Sequence, residues 1–208
     1  MDYDAIIWDW NGTLLDDIDL CIDIANELLS AHRLPVLTWE RYREIFDFPV
    51  SLYWERAGLD LDCVDFVALS REFCGRFEER LDETRLFPEA LPVIEEVAGL
   101  GIEQFILSNT EHGSLLDMLR AKSVHDRFAG VQGMQDTLAR GKQAGGRNLM
   151  ALHCLRPERT LLVGDTSHDF DVAAELGIDC VLVSTGHHSH DRLSALECNV
   201  LRSLDELV

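Results

Sequence analysis

The sequence predicts an α/β protein: a parallel sheet covered by helices on both faces, with a block of helices inserted after the first strand. Two observations carry this expectation. From Phe87 onward short apolar runs alternate with amphipathic helical stretches, the pattern of repeated strand and helix units. Between the first apolar run and that point only helical periodicity is found.

The elements follow in order. "DAIIWDW" is a buried strand leading into "NGT". An Asn-Gly between apolar runs can also mark a hairpin turn. After Thr13, however, the apolar residues Leu14, Leu15, Ile18, Cys21, Ile22, Ala25, Leu28 and Leu29 fall at helical spacing, so no strand returns. Residues 15–85 continue with "WERYREIF" and "VDFVALSREFCGRFEERL" and read as wholly helical. Then come the helix and strand units: "ALPVIEEVAGLG" before "IEQFILSN", "GSLLDMLRAK" before "FAGVQG", "GRNLMALHCL" before "TLLVGD", and "DFDVAAELG" before "IDCVLVST". Three strands end in polar residues, Asp9 after "IIW", Ser108 after "FIL" and Asp165 after "LLVG". Ligands of such sheets bind beyond the carboxyl ends of the strands. These residues are therefore expected on one rim, with the helical block above it.

At 208 residues and 47% hydrophobic content the chain fills one sizeable core. Its formal charge of −20 opposes nucleic-acid binding, which depends on lysine and arginine neutralising phosphates. A phosphate-bearing partner must meet a local positive charge or a metal. Cys21, Cys63, Cys74, Cys154, Cys180 and Cys198 form no Cys-x-x-Cys pair, so neither a zinc pattern nor a disulfide framework is legible, and reduced, partly buried thiols are expected. No basic segment precedes an apolar core and no apolar run reaches membrane-spanning length. The expectation is a soluble cytoplasmic protein with no membrane partner.

A carboxylate at a strand end can act as a nucleophile when a neighbouring cation neutralises the incoming phosphate. Asp9 and Asp165 are placed to share a magnesium ion, which prefers oxygen ligands, and Asp169, four residues on, to bind it through water or to orient the other ligands. Taken singly, each of these aspartates reads rather as a loop or helix-cap residue; together they point to a shared site. The chain has only two lysines, Lys122 and Lys142. Lys142, in the glycine-containing loop "ARGKQAGG", is a candidate to balance crowded carboxylates and hold a phosphoryl group; the alternative is a solvated loop lysine. "GKQAGGR" lacks the Ser or Thr after the lysine and the preceding strand of a P-loop, which excludes that reading.

"DWNGT" after a hydrophobic strand, "ILSN" with Ser108, then Lys142, then "GDTSHD" with Asp165 and Asp169 resemble the four ordered motifs of the haloacid dehalogenase-like hydrolase superfamily, across nearly the whole chain. The helical insert resembles the cap of its phosphoglycolate-phosphatase-like branch. The resemblance implies a Rossmann-like core of residues 1–14 and 86–208 with a helical cap of 15–85, and hydrolysis of a small phosphorylated metabolite. It implies Asp9 as nucleophile forming an aspartyl-phosphate, and Mg2+ bound by Asp9, Asp165 and the backbone carbonyl of Asn11. Ser108 and Lys142 would hold the phosphoryl oxygens, with Asn109 and Thr110 beside them.

The sequence departs from this family at Asn11, where its phosphatases usually carry an aspartate that protonates the leaving oxygen and then activates water. An amide does neither, so turnover is expected to be slow on poor leaving groups, and Asn11→Asp to speed alkyl-phosphate hydrolysis. General acid-base help is worth about 10²–10⁴ in rate. His112 and His168 could substitute, since histidine is the side chain suited to proton transfer at neutral pH, although exposed loop histidines are the expectation. His187, His188 and His190 read as a flexible polar loop rather than a transition-metal site. Arg43 and Arg56 are candidates for a substrate carboxylate or second phosphate, or for helix-surface ion pairs. The acidic fourth motif argues against the metal-free dehalogenases, and the absence of lysine from residues 15–85 argues against the phosphonate-cleaving branch. A phosphotransferase or mutase, and a phosphate-binding regulatory protein, remain as alternatives.

Overall fold

In a computed structural model, which describes residues 2–134 and 141–208, six strands form one parallel sheet. They are β1 (Ala5–Trp8), β4 (Glu103–Glu111), β5 (Gly130–Met134), β6 (Thr160–Gly164), β7 (Asp179–Val183) and β8 (Asn199–Leu201), in the spatial order β5-β4-β1-β6-β7-β8. The chain runs outward from β1 on one side and then returns to build the other. The direction of winding thus reverses at β1, the position where α/β sheets open a crevice at their carboxyl ends. Trp8 is level with Ile106 of β4 and Val163 of β6, so the residues just beyond each meet there.

β1 is buried on both faces, as the apolar run "AIIW" requires. Ala5 and Ile7 join Phe105, Leu107 and Leu162 under α7 (Gly141–Leu152) and α8 (Ser167–Leu176). Ile6 and Trp8 face the opposite side, with Val93, Ile94 and Val97 of α5 (Ala90–Gly99) and Leu115, Met118 and Leu119 of α6 (His112–Ala121). On that side Trp8 Nε1 donates to Gln104 Oε1 at 2.9 Å, and Gln104 Nε2 donates to the Ile94 carbonyl at 2.9 Å. This buried amide satisfies the indole.

Between β1 and α5 the chain forms α1 (Ile18–Ala31), α2 (Trp39–Ile45), α3 (Val50–Arg56) and α4 (Phe66–Glu79). These helices bury Ile24, Leu28 and Leu29 against Tyr53, Trp54, Leu69 and Phe77. The block is not wholly helical as expected. Its two ends form an antiparallel pair, β2 (Leu15–Asp16) with β3 (Arg85–Leu86), so the chain leaves and re-enters at adjacent points. Two-residue strands are too short to show alternation in sequence.

A second correction concerns "ARGKQAGG". Its first two residues lie outside the described ones, but from Gly141 it is helix, and Lys142 stands in the first turn of α7 rather than in a loop. The glycines that suggested a loop serve close packing: a Cβ on Gly146 would lie 2.7 Å from Leu176 Cδ1. Cys63, Cys74 and Cys154 are exposed, not partly buried; Cys180 and Cys198 are half-buried and Cys21 is buried. Among the described residues no helix is long and apolar enough to cross a membrane.

Candidate active site

Asp9 follows β1 directly, and its backbone N–H donates to the Val163 carbonyl at 2.8 Å, which ties it to β6. Its Oδ1 accepts from Trp10 N at 2.8 Å and from Lys142 Nζ at 2.7 Å. Lys142 Nζ also lies 2.5 Å from Asp169 Oδ1. The second oxygen of Asp169 accepts from the backbone N–H groups of Asp165 and Thr166 and from Thr166 Oγ1, closing the first turn of α8. Both oxygens of Asp169 are therefore engaged by the chain itself. Asp165 is fully buried, its Oδ1 accepting from Thr13 Oγ1 at 3.0 Å and its Oδ2 from His187 N at 2.6 Å.

The carboxylates of Asp9, Asp165 and Asp169 approach so closely that one oxygen from each lies within 4.8 Å of the others. Burial first, then the neighbouring Asp169, pushes Asp9 up to about 8, against the pull of Lys142. Burial likewise raises Asp165, to about 6. Asp169 is held below the usual carboxylate range because Lys142 and Thr166 outweigh its burial, and Lys142 is raised in turn by the two carboxylates it bridges. One lysine does not balance three buried acids. An oxygen-only set with excess negative charge fits a hard divalent cation such as magnesium. A further oxygen is available nearby: among the described residues Trp10 O accepts the backbone N–H groups of Thr13, Leu14 and Leu15, while Asn11 O accepts none.

The Asn11 side chain is held from both ends. Its Nδ2 donates to Asp17 Oδ2 at 2.8 Å, and its Oδ1 accepts from Thr110 Oγ1 at 2.8 Å. β4 does not end at Ser108 as expected but runs on to Glu111, with its pairing to β5 interrupted after Leu107; there Ser108 is buried, its Oγ accepts from Thr110 N at 3.1 Å, and the half-buried Asn109 lies between them. The structure thus brings Asp9, Asn11, Lys142, Asp165 and Asp169 to one rim with Ser108 and Thr110.

The histidine segment differs from expectation. His187 and His188 are buried, not part of a flexible loop. Burial opposes charge on His187, but the Asp17 carboxylate 3.4 Å from its Nε2 prevails and pushes it up to about 9. Tyr42 Oη lies 2.9 Å from its Nδ1. His188 is instead held neutral, lowered to about 3 by burial and by Arg192; its Nδ1 accepts from Ser167 N and its Nε2 donates to the Phe46 carbonyl. His190 Nδ1 lies 3.3 Å from Ser184 Oγ. His112 and His168 are half-buried rather than exposed: His112 Nδ1 accepts from Gly133 N, and His168 packs on the Phe48 ring. Gly186 must be glycine, since a Cβ there would overlap Asp165 Oδ2 and the Gly12 carbonyl oxygen.

Among the described residues Arg43 forms no surface ion pair. It is buried, donating to the carbonyls of Ser184, Gly186 and His188 at 2.6, 2.8 and 2.5 Å, with its guanidinium 4.3 Å from the centre of the Trp39 ring. Arg56 does pair, with Asp47 at 2.8 Å. Sequence reasoning missed Asp17 and Tyr42. Asp17 stands where a helix cap is expected, yet its carboxylate turns inward to Asn11 and Gly12 instead of capping α1.

Curated relatives match the chain at modest identity. The chain is 27% identical to a phosphoglycolate phosphatase of Mesorhizobium japonicum over 88% of its own length and 83% of the relative's. It is 25% identical to the tyrosine-protein kinase PtkA of Mycobacterium tuberculosis over 97% and 70%. The fold is shared with a haloacid dehalogenase-like hydrolase from Streptococcus pneumoniae, at 21% identity and a TM-score of 0.83 over 99% of this chain and 97% of that one. A family model for haloacid dehalogenase-like hydrolases matches residues 6–183, and the chain belongs to that family.

Proposed function

We propose that the protein is a magnesium-dependent phosphatase of small phosphate monoesters that works through a phosphorylated Asp9, with helices α1–α4 as its cap. The observation that carries this reading is Lys142 Nζ bridging Asp9 and Asp169 inside a buried three-carboxylate cluster. The phosphoglycolate phosphatases among its relatives support the substrate class. Asp9 and Asp165, with the Asn11 carbonyl, would hold the ion, which supplies positive charge against phosphoryl oxygens. Asp169 orients Lys142 and the turn carrying Asp165.

Lys142 and the Trp10 N–H hold Asp9 through Oδ1, which leaves Oδ2 to act as the attacking oxygen. Attack by that oxygen on phosphorus breaks the ester P–O bond, and the alcohol departs as its oxygen gains a proton. Lys142 and Ser108 stabilise charge on the transferring phosphoryl oxygens. Water then attacks the same phosphorus, regenerating the Asp9 carboxylate and releasing inorganic phosphate. Asn11 supplies no proton in the first step and takes none in the second, so solvent must do so. Leaving groups that need no protonation, aryl and acyl phosphates, are therefore the better substrates.

The clasp of Asn11 between Asp17 and Thr110 favours a second reading, transfer of the phosphoryl group to an alcohol acceptor, because slow water activation prolongs the phospho-enzyme. A panel of phosphate esters, with and without magnesium and with added sugar-phosphate acceptors, tests both. Magnesium-dependent phosphate release that Asp9→Asn abolishes supports the phosphatase, and phosphorylated acceptor without free phosphate supports transfer. Tight phospho-ligand binding with no turnover would leave a binding protein.

A further inference from the structure

Cys180 lies near the start of β7 and Cys198 directly before β8, so the two bracket β7 and the segment after it that carries Gly186, His187 and His188. β7 and β8 pair in parallel with Val181, Leu182 and Val183 opposite Asn199, Val200 and Leu201, and each cysteine occupies the position one residue before that ladder. Neighbouring strands run about 4.8 Å apart, inside the roughly 4.4–6.8 Å Cα separation that a disulfide spans. Residues opposite one another in such a pair project from the same sheet face. Both cysteines are half-buried, so a small reagent reaches them, and β8 is the edge strand.

We propose that Cys180 and Cys198 form a reversible intramolecular disulfide by exchange with a low-molecular-weight disulfide, of which glutathione disulfide is the probe. The two thiols already interact. The neighbouring Cys180 holds Cys198 below the usual thiol range, while Cys198 and burial raise Cys180. Thiolate is the attacking species in exchange, which sets the order of events. Cys198 Sγ, having lost its proton to solvent, attacks one sulfur of glutathione disulfide, and one glutathione leaves as thiolate and is protonated. Cys180 Sγ then loses its proton and attacks Cys198 Sγ, forming the protein disulfide and expelling the second glutathione. Two protein thiols are oxidised as one small disulfide is reduced to two thiols. The bond closes a covalent loop around β7 and the segment that donates to Asp165 and accepts from Arg43.

Reduced protein incubated with glutathione disulfide, alkylated under denaturing conditions and mapped by peptide mass spectrometry tests this. The expected result is a Cys180–Cys198 linked peptide two hydrogens lighter than its parts, loss of alkylation at both positions, and its full return after dithiothreitol. In Cys180→Ser, glutathione should remain on Cys198. In Cys198→Ser no linked peptide should form and Cys180 should stay open to alkylation. The proposal is overturned if, in the wild-type protein, both residues still alkylate fully once the exposed Cys63, Cys74 and Cys154 carry glutathione. It is equally overturned if glutathione persists on Cys198 with Cys180 present and free.

Discussion

Asn11 donates to Asp17 and accepts from Thr110, so its amide is the only side chain of that shape able to satisfy both partners. The sequence reading expects Asn11→Asp to speed alkyl-phosphate hydrolysis; the structure adds a cost. A carboxylate at position 11 loses the donor to Asp17 and faces a buried acid, which should destabilise the fold by about 1–3 kcal/mol. Asn11→Asp combined with Asp17→Asn restores a donor and an acceptor. Chemical denaturation should show the double variant more stable than the single one; equal stabilities would mean that the Asn11–Asp17 bond carries no weight. Lys142→Met should lower turnover by roughly 10²–10³-fold, the scale of one electrostatic donor in a dry site, with steady-state phosphate release as the readout. At this scale Asp9, Lys142, Asp165 and Asp169 were legible because their residue types and order are distinctive. Asp17 was not, since "LLDD" before a helix reads as a cap and nothing in the chain signals that its carboxylate turns inward.

The segment following β7 reads in sequence as a flexible polar loop, and the burial of His187 and His188 depends on α2 lying over them. Its two buried histidines give stability opposite slopes with pH. His188 stays neutral in the folded chain down to about 3, whereas an unfolded histidine titrates near 6.5. Between those values the unfolded chain binds the extra proton, so this contribution is full above about 6.5 and is lost as pH falls toward 3. His187, folded at about 9, contributes fully below about 6.5 and loses its contribution as pH rises through 9. Melting temperature followed from pH 7 to pH 4 should fall less steeply in His188→Gln than in the parent chain; parallel slopes would contradict this assignment. Within the sheet, Gln104→Leu should cost about 1–3 kcal/mol by stranding the Trp8 indole N–H, a loss that calorimetry would register. The alternating strands and helices from Phe87 onward were legible in the sequence. The three-residue β8 and the two-residue β2 and β3 were not, because such short strands form only where a neighbour supplies the ladder.

Across the whole molecule, the helical block and the sheet are joined over the carboxylate cluster by Arg43, by Tyr42 on His187, and by Arg192, which reaches the Phe46 carbonyl and Asp47. The helical block between β1 and α5 was legible in outline from its helical periodicity. The latch itself was not, because a buried arginine bonded only to carbonyls has no sequence signature. The central claim is that Asp9 itself receives the phosphoryl group. Its most direct test is to quench the protein during turnover of an aryl phosphate, reduce with borohydride and map the peptides. An aspartyl-phosphate is converted to homoserine, so homoserine at position 9 is the predicted result; phosphate release with residue 9 still aspartate, and undiminished in Asp9→Asn, would contradict it.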